Sequence, residues 1–449
     1  MKPNSGDWLV VGVPYSEESG LADAGRIECF PVVDSMTAPR FRMTAPDGHV
    51  QQGARFGFSV AVGDINGDGI DDIVVGAPGQ DAPTRQEQGR VFIFFGPWNP
   101  LNQPPYAFVS VLDADSIDLD PQGGGEQFGF SVAVGSLDDV LDSLDVVVGI
   151  PFADDLPAAT SETGAIDIFL NPPPARNLRR DQHVLQADAR RAAGNHYGWS
   201  VAVGWIARPD PQSPDLGDIV VGVPDWDYRG WVDAGCLSAH FGHFVLAQAR
   251  WNNDPGFFQV ALGQGYLDET RYGSSLALGD WTCDGWDDLA LGGPGDLNAE
   301  EEPLGPEGRV TIFESTGLYL MSSGSTPADS VIFAPEAPWI HPLNTFGFSL
   351  AFAQIDGDPY LELVVGAPWA STMGLGHVFV FDSDPGVVPA MWPVHTHFGD
   401  PAPGGTDRFG WSLAIAHRLG TSLDDLVIGS PHSDIPGTND AGEVFVWNY

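Results

Sequence analysis

The sequence predicts an all-β protein built from seven similar antiparallel sheets, and three observations lead to this class. Glycine (56) and proline (38) together make up about a fifth of the 449 residues, which suits short strands joined by turns. No segment has the sustained apolar periodicity of a long helix. A strand ending in Gly-x-Pro recurs along the whole chain at a spacing of about 70 residues, which indicates a structural repeat.

The Gly-x-Pro strand is the clearest element of each repeat. It reads VVGVP from Val10, VVGAP from Val74, VVGIP from Val147, VVGVP from Val220, ALGGP from Ala290, VVGAP from Val364 and VIGSP from Val427. A glycine follows each of these strands and opens an alternating apolar strand, as in GRVFIFF from Gly89. These two strands are typical of the middle of an antiparallel sheet.

An aromatic-glycine pair and a further short strand precede six of the seven Gly-x-Pro strands. The pairs are Phe56-Gly57, Phe128-Gly129, Tyr197-Gly198, Tyr272-Gly273, Phe346-Gly347 and Phe409-Gly410. A fourth, weaker strand fits most linkers, for example YAFVSVL from Tyr106 and FFQVALG from Phe257. Each repeat is therefore predicted to hold four antiparallel strands, which we call A to D.

One four-stranded sheet cannot bury both of its faces, but seven such sheets packed around an axis can. The sequence thus predicts a single seven-bladed β-propeller domain over residues 1–449, with four-stranded antiparallel blades. The first blade lacks strand A and the last lacks strand D, so both terminal blades are incomplete in the sequence. The approximate blades are 1–46, 54–114, 126–190, 195–264, 270–336, 344–399 and 407–449.

The order Phe-Gly, acidic loop, Gly-Ala-Pro resembles the FG-GAP repeat of the integrin α-subunit propeller and its bacterial relatives. The resemblance extends over essentially the whole chain. It implies a seven-bladed propeller that binds calcium and serves extracellular adhesion or ligand binding. The incomplete terminal blades depart from the family, and two interpretations stay open. Either an upstream segment is missing or the seam is permuted, or a neighbouring chain supplies the strand and the protein self-assembles.

The loop DINGDGIDD of the second repeat places oxygen-bearing side chains at alternating positions. Calcium prefers six to eight oxygen ligands at short range, and a tight loop with this alternation supplies them. The fifth repeat has a near copy, DWTCDGWDD. The predicted calcium ligands are the side chains or, for Ile70 and Trp286, the main-chain carbonyls of Asp64, Asn66, Asp68, Ile70, Asp72, Asp280, Thr282, Asp284, Trp286 and Asp288.

The other strand A to strand B loops depart from this pattern. In QIDGDPYLE of the sixth repeat we predict a weaker metal site formed by Asp356, Asp358, the Tyr360 carbonyl and Glu362. In the third repeat Asp138, Asp142 and Asp145 can gather around an ion, and in the seventh Arg418 can replace the metal by pairing with Asp424 or Asp425. This unevenness indicates that the calcium is structural rather than catalytic.

The charge balance limits the partners. The chain has 61 acidic and 19 basic residues, for a net charge of −42, so nucleic acid and anionic membranes are poor partners. The N-terminal stretch MKPNSGDWLVV contains no long apolar run, and the sequence predicts neither a signal peptide in this numbering nor membrane insertion. Three widely spaced cysteines do not form a disulfide framework.

The predicted ligand face is the one opposite the calcium loops, where the B–C loops emerge. Trp226, Tyr228 and Trp231 lie close together in one such loop, and Trp369 begins another. Exposed aromatic residues suit contact with a protein or a glycan, although packing over the blade edges is the favoured interpretation in a chain with 14 tryptophans. Pairs of histidines, His240 with His243 and His395 with His397, lack a third ligand and are interpreted as ordinary residues.

The favoured function is an extracellular or cell-surface, calcium-stabilised propeller that acts as an adhesion or protein-interaction module, as a possible subunit of a surface assembly or filament. Two alternatives remain: a lectin-like propeller that binds carbohydrate, and a propeller enzyme with an axial active site. No common catalytic motif is present, so we predict no enzymatic activity. Abundant acidic residues make any glycosidase-like pair uninformative from spacing alone.

Overall fold

The fold is known from a computed structural model of the 449-residue chain. The residues that the structure describes are 8–31, 41–81, 86–97, 108–113, 125–138, 143–154, 161–171, 178–186, 192–206, 216–227, 230–245, 250–254, 269–295, 307–315, 330–334, 344–370, 376–382, 393–398, 407–417, 423–434 and 441–447. All regular elements in these ranges are β-strands, which confirms the predicted all-β class.

The described strands form seven antiparallel sheets, each built from strands consecutive in the sequence. Their bounds, sheet by sheet, are β1 Trp8–Val13, β2 Arg26–Pro31, β3 Phe41–Met43; β4 Ser59–Gly63, β5 Asp72–Ala77, β6 Arg90–Phe95, β7 Phe108–Leu112; β8 Ser131–Gly135, β9 Asp145–Ile150, β10 Ala165–Leu170, β11 Arg179–Leu185; β12 Val201–Gly204, β13 Asp218–Val223, β14 Cys236–Val245, β15 Arg250–Asp254; β16 Ser275–Gly279, β17 Asp288–Gly293, β18 Arg309–Phe313, β19 Ser330–Phe333; β20 Ser349–Ala353, β21 Glu362–Ala367, β22 His377–Phe381, β23 Pro393–Phe398; and β24 Ser412–His417, β25 Asp424–Ser430, β26 Glu443–Trp447.

The terminal sheets have three strands in the described part of the chain, and the five sheets between them have four. β1 is the Gly-x-Pro strand of the first repeat, so that sheet holds strands B, C and D. The last sheet holds strands A, B and C, with β26 at its edge. The fourth sheet differs from the sequence prediction, because its fourth strand is Arg250–Asp254, which pairs with Phe241–Val245. The predicted segment from Phe257 lies outside the described residues.

The Phe-Gly and Gly-x-Pro glycines meet where neighbouring repeats touch. A Cβ built on Gly76 would lie 2.1 Å from the carbonyl oxygen of Gly129, which leaves no room for any side chain. Gly129 itself has a φ of +87°, a conformation that favours glycine. The preceding Phe128 is fully buried and forms a parallel bridge with Gly89 of the second repeat. These contacts explain why the two glycines of the motif recur together.

A serine two residues after each of four Phe/Tyr-Gly pairs links neighbouring repeats. The Ser59 hydroxyl donates a hydrogen bond to the Gly129 carbonyl at 2.8 Å, which joins the second repeat to the third. The same bond recurs from Ser131 to Gly198, from Ser275 to Gly347 and from Ser349 to Gly410. The repeating motif thus encodes contacts between repeats as well as strands within them.

The chain divides into two compact units, and each has its own apolar layers. The first unit contains the first three sheets, and side chains such as Val74 and Ile93 of the second sheet pack with Val146 and Val148 of the third. The second unit contains the last three sheets, and there the fifth packs with the sixth and the sixth with the seventh. The boundary between the units falls within the fourth sheet. In the described ranges no helix reaches the length and apolarity that membrane crossing requires.

Candidate functional site

The acidic loop of the second repeat connects β4 to β5 and folds around Asp64. Its carboxylate accepts hydrogen bonds from the backbone N–H groups of Gly67 at 2.7 Å, Asp68 at 3.1 Å and Gly69 at 2.7 Å. Asp68 in turn accepts one from the N–H of Ile70 at 2.9 Å. These bonds turn successive backbone N–H groups towards the Asp64 carboxylate and shape the tip of the loop.

The last acid of this loop, Asp72, is fully buried at the start of β5. Its two carboxylate oxygens accept hydrogen bonds from the N–H groups of Ile65 at 3.0 Å and Gly96 at 2.9 Å. Burial raises the pKa of Asp72 to about 6, against the lowering effect of these hydrogen bonds. Asp72 therefore closes the hairpin and ties it to the end of β6.

One further observation indicates that the residues of this loop fit a divalent cation. The side-chain oxygen of Asn66 is buried and has no hydrogen-bond partner, although buried oxygens normally have one. A calcium ion held by the predicted set would supply a partner for this oxygen and offset the charge of three neighbouring carboxylates. The assignment of the individual ligands stays a prediction.

The fifth-repeat loop repeats this geometry between β16 and β17. Asp280 accepts hydrogen bonds from the N–H groups of Asp284 and Gly285, both at 2.9 Å. Asp284 accepts one from the N–H of Trp286 at 3.0 Å. Asp288 is fully buried and accepts hydrogen bonds from the N–H groups of Thr282 at 2.8 Å and Ser315 at 2.6 Å. Burial raises the pKa of Asp288 to about 6.

In the sixth-repeat loop three acidic side chains come together. Asp356, Asp358 and Glu362 each have one carboxylate oxygen within 4.8 Å of the others. The carboxylate of Glu362 is buried, and burial raises its pKa to about 7. The Tyr360 carbonyl, the fourth predicted ligand, accepts a hydrogen bond from the Gln354 side chain at 3.0 Å. The structure thus gathers the three acids and gives the carbonyl a different partner.

The third-repeat hairpin keeps the last acid without the alternating pattern before it. Asp145 is buried and accepts hydrogen bonds from the N–H groups of Leu137 at 2.8 Å and Asn171 at 2.9 Å. Burial, with a smaller contribution from the charge of Asp138, raises the pKa of Asp145 to about 7. Asp142 of this loop and Arg418 of the seventh repeat lie outside the described residues.

The strand A to strand B loops are hydrogen-bonded from one repeat to the next. The N–H of Leu144 in the third repeat donates to the carbonyl of Asp64 at 2.9 Å. Asp287 of the fifth repeat forms two bonds with Trp205 of the fourth: its N–H donates to the Trp205 carbonyl at 2.8 Å, and its carboxylate accepts from the Trp205 N–H at 2.7 Å. This role of Asp287 was not predicted; its one signal in the sequence is the pair of acidic residues, Asp287 and Asp288, before strand B.

The opposite ends of the A strands carry a row of aromatic rings, one residue after the Phe/Tyr-Gly pairs. In the first unit, the half-buried Phe130 ring lies with its centroid 4.9 Å from Phe58 and 4.6 Å from Trp199. Because β4 has five residues, this row lies about 17 Å along the strand from the acidic loop. The two features therefore occupy opposite ends of the same sheets.

The second unit has a matching aromatic cluster. The ring of Phe348 lies 4.8 Å from that of Trp411, and Trp369 of the strand B to strand C loop lies 5.5 Å from both. The guanidinium of Arg408 is 4.9 Å from the Trp369 ring centroid and 5.7 Å from that of Trp411. A cation in this position is attracted to the faces of both rings.

The residues of the predicted ligand face differ in exposure. Trp226 and Trp369 are only 8% and 9% exposed, whereas Trp231 is 38% exposed and its neighbour Val232 is 52% exposed. Tyr228 lies outside the described residues. Of the histidines considered, His240 is buried and its Nε2 forms a hydrogen bond with the Tyr197 hydroxyl at 2.5 Å. The side chains of His243, His395 and His397 lie outside the described part of the chain.

Comparison with known proteins identifies a repeat family and two groups of relatives. The FG-GAP repeat family matches residues 56–94, which include strand β4, the second-repeat loop, strand β5 and all but the last residue of β6. The chain is 29% identical over 203 residues to integrin alpha-PS2 of Drosophila melanogaster, an alignment that covers 43% of this chain and 13% of the integrin. It is 28% identical over 277 residues to integrin alpha-3 of Mus musculus, covering 59% of this chain and 23% of the relative.

The second group is named for an enzyme. Phosphatidylinositol-glycan-specific phospholipase D of Rattus norvegicus is 39% identical over 250 residues, covering 51% of this chain and 26% of the phospholipase. The alignments thus cover about a quarter or less of the length of these curated relatives. The predicted resemblance is confirmed: residues 56–94 match the FG-GAP repeat, and the chain is similar to integrin alpha subunits.

Proposed function

We propose that this chain is a calcium-stabilised, seven-bladed β-propeller that acts at the cell surface or outside the cell as an adhesion or protein-interaction module. The observation that carries the proposal is that the two ends of the sheets carry different kinds of side chain. Acidic loops that fit a cation lie at one end, and rows of half-buried aromatic side chains lie at the other. One end is suited to ion binding and the other to contact with a partner.

The seven-bladed ring is supported by the seven antiparallel sheets and their face-to-face packing within each unit. Sheets of three or four strands with two apolar faces need a neighbour on both sides, and a closed ring gives each sheet two. The similarity to integrin alpha subunits supports the same arrangement and a location at the cell surface.

Calcium in this proposal holds the hairpin tips of the second and fifth repeats. One ion would be bound by Asp64, Asn66 and Asp68 in the second repeat, and another by their counterparts in the fifth. Each ion would offset the repulsion among the carboxylates of its loop. Because the loops are hydrogen-bonded to the neighbouring repeats, an ordered loop also orders the junction between repeats. The ion is therefore structural, and the partner binds elsewhere.

The partner face is proposed at the aromatic end of the sheets. Aromatic side chains combine a large apolar area with little conformational entropy, and they dominate many protein interfaces. A net charge of −42 favours partners with basic surfaces. This face would accept an extracellular protein, and the same aromatic rings would allow the lectin-like alternative through stacking on sugars.

Immobilised protein tested against an array of purified extracellular matrix proteins and a glycan array distinguishes these functions. We expect binding to a protein that is weakened about tenfold or more by Trp199→Ala and by Trp411→Ala. Val111→Ala, at a half-exposed position on β7, is the matched control and should bind normally. Binding to glycans alone would favour the lectin function, and binding unaffected by both tryptophan substitutions would contradict the proposed face.

Self-assembly into a surface filament is supported by the edge of the last sheet. The C strands β10, β18 and β22 are buried along their whole length, whereas β26 is half-exposed and Val444 is 37% accessible. An added strand at this edge would form hydrogen bonds with the backbone of β26. Light scattering over a range of protein concentrations tests the idea, with Val444→Lys expected to reduce any association.

The similarity to a phospholipase D leaves an enzymatic function as the remaining alternative. Integrin subunits and a phospholipase share similarity with the same chain, as expected when the shared part is a repeat scaffold rather than an active site. We therefore propose a non-enzymatic module. Release of phosphatidic acid from a glycosylphosphatidylinositol substrate by the purified chain would contradict this.

A further inference from the structure

A buried side-chain amide of the third repeat is bonded to the acidic loop of the second. Asn171, which follows β10, is 2% exposed, and its Nδ2 donates a hydrogen bond to the carbonyl of Ile65. Its Oδ1 is buried and has no hydrogen-bond partner. Turning the amide over would bring this oxygen against the Ile65 carbonyl oxygen, so the contact fixes which atom points at the loop. A buried amide that serves a neighbouring loop while its own oxygen stays unpaired needs an explanation beyond packing.

The side chain of Asn171 is not required to close its own hairpin. The Asn171 N–H donates to Asp145 at 2.9 Å, and the second repeat makes the same bond from Gly96 to Asp72, also at 2.9 Å, without any side chain. The first sheet has no strand A in the described part of the chain, so no described loop precedes Gly96 in the way that the second-repeat loop precedes Asn171. The side chain at this position is therefore used towards the preceding repeat.

The third repeat holds two successive carbonyls of the second-repeat loop. The N–H of Leu144 donates to the carbonyl of Asp64 at 2.9 Å, and Asn171 donates to the next carbonyl, that of Ile65. Asp64 and Asn66, two of the predicted calcium ligands, lie on either side of Ile65 in the chain. Fixing these two peptide groups before an ion arrives reduces the conformational entropy that the loop loses on binding.

The junction between the fourth and fifth repeats contains the same pair of bonds. The N–H of Asp287 donates to the Trp205 carbonyl at 2.8 Å, and the Ser315 hydroxyl donates to the next carbonyl, that of Ile206. The fourth-repeat loop lacks the alternating acidic pattern, so here the equivalent bond holds a loop without a predicted calcium site. Ser315 therefore provides an internal comparison for Asn171.

We propose that Asn171 is a positioning residue for the cation site of the second repeat, so that the third repeat sets the affinity of a loop to which it contributes none of the predicted ligands. The inference rests on the proposed function, which supplies calcium as the ion. Because coupling free energies are reciprocal, calcium bound to the second-repeat loop also strengthens the contact with the third repeat. The calcium concentration thereby regulates the rigidity of this one junction.

Calcium titrations of two background variants measure each loop separately. Asp280→Ala disables the fifth-repeat loop and leaves the second as the tightest remaining site for isothermal titration calorimetry, and Asp64→Ala does the reverse. Asn171→Gly, which keeps the backbone bond to Asp145, should weaken binding by the second-repeat loop about tenfold, since partners that orient metal ligands have effects of this size. It should leave the fifth-repeat loop unchanged. Asn171→Ser, which restores a side-chain donor, should recover part of the affinity.

Ser315→Gly is the matched control. It removes the equivalent side chain beside the fifth-repeat loop, but the bond that is lost belongs to the fourth-repeat loop, so both calcium steps should keep their affinity. Hydrogen exchange followed by mass spectrometry gives a second readout. In the Asp280→Ala background, calcium should slow exchange in residues 143–150 of the third repeat, and added Asn171→Gly should abolish this effect. Circular dichroism and urea denaturation in chelator establish that each variant is folded.

Three results would overturn the proposal. The first is unchanged calcium affinity of the second-repeat loop in folded Asn171→Gly, and the second is an equal loss in both loops, which indicates general destabilisation. The third is a loss of fifth-repeat affinity in Ser315→Gly, because the side chain would then act within its own repeat. Absence of calcium binding by the parent chain would contradict the proposed function as well, whereas normal binding by the parent with an unaffected Asn171→Gly would contradict this inference alone.

Discussion

The hairpins of the second and third repeats each have a carboxylate at the start of strand B, but they differ at the acidic positions earlier in the loop. Asp72 and Asp145 occupy equivalent places at the start of strand B, both are buried, and both accept N–H groups from their own loop and from the end of strand C. The second-repeat loop adds acids at alternating positions, whereas the third-repeat loop does not. Closure of the hairpin is therefore separable from the proposed binding of an ion.

This comparison assigns two roles to acidic residues that look alike in the sequence. The last acid of each loop acts as an anchor for backbone N–H groups, whether or not a cation site precedes it. The earlier acids, such as Asp64 and Asp68, also accept backbone N–H groups, but they lie at the loop tip, where their charges repel one another unless a cation lies between them. Four predictions test this division of roles.

The largest effect is expected from removing the anchor of the third repeat. Asp145→Ala leaves the N–H groups of Leu137 and Asn171 without their partner in a buried site, at a cost of about 2–5 kcal/mol in the free energy of unfolding. The loss should be the same with calcium and with chelator, as measured by urea denaturation. A loss seen only in calcium would show that this hairpin also depends on an ion.

Removal of calcium is expected to have the next largest effect. At a calcium concentration of 100 times Kd, bound ion stabilises the folded state by about 2.7 kcal/mol, so excess chelator should lower Tm markedly. The double variant Asp68→Ala, Asp284→Ala should be less stable in calcium and insensitive to chelator. An unchanged melting curve in chelator, together with unchanged stability of the double variant, would contradict calcium binding by these loops.

The pH dependence of stability should reveal the anchor carboxylate. The pKa of Asp145 is raised to about 7 in the folded protein, so the folded state binds the proton more tightly than the unfolded state does. In chelator, this group should therefore favour folding below about pH 4 and lose that contribution as the pH rises to about 7. The slope attributable to one group is at most about 1.4 kcal/mol per pH unit.

The control for this experiment is Asp145→Asn, which cannot titrate. Its unfolding free energy, measured by urea denaturation at several pH values between 4 and 8, should depend less on pH than that of the parent. Equal slopes for parent and variant would contradict the assignment of the proton to Asp145.

The smallest effect is expected at the junction between the fourth and fifth repeats. Asp287→Ala removes the carboxylate that accepts the Trp205 N–H, and a single hydrogen bond of this kind contributes about 1–2 kcal/mol. Calcium binding by the adjacent Asp280 and Asp284 should remain, which calorimetry can measure. A large drop in calcium affinity would instead make Asp287 part of the ion site.

Much of the fold follows from local patterns in the chain. The Gly-x-Pro strands and the alternating strands after them are found as strands B and C, for example β5 and β6, because period-two apolar patterns and glycine turns specify strands locally. The Phe-Gly pairs were also recognisable as part of the repeat, and the structure buries Phe56 and its equivalents. The acidic loops at Asp64 and Asp280 were recognisable because the spacing of their acidic residues is contained within nine residues.

The sequence by itself thus determined the all-β class, the repeat and the positions of the acidic loops, since each depends on residues close together in the chain. Tertiary structure alone decided which strand completes the fourth sheet and which ring approaches Phe130. It also decided that Asp287 reaches Trp205 and that Glu362 meets Asp356 and Asp358. These outcomes depend on distances between side chains across strands, loops and neighbouring repeats, which the order of residues leaves open.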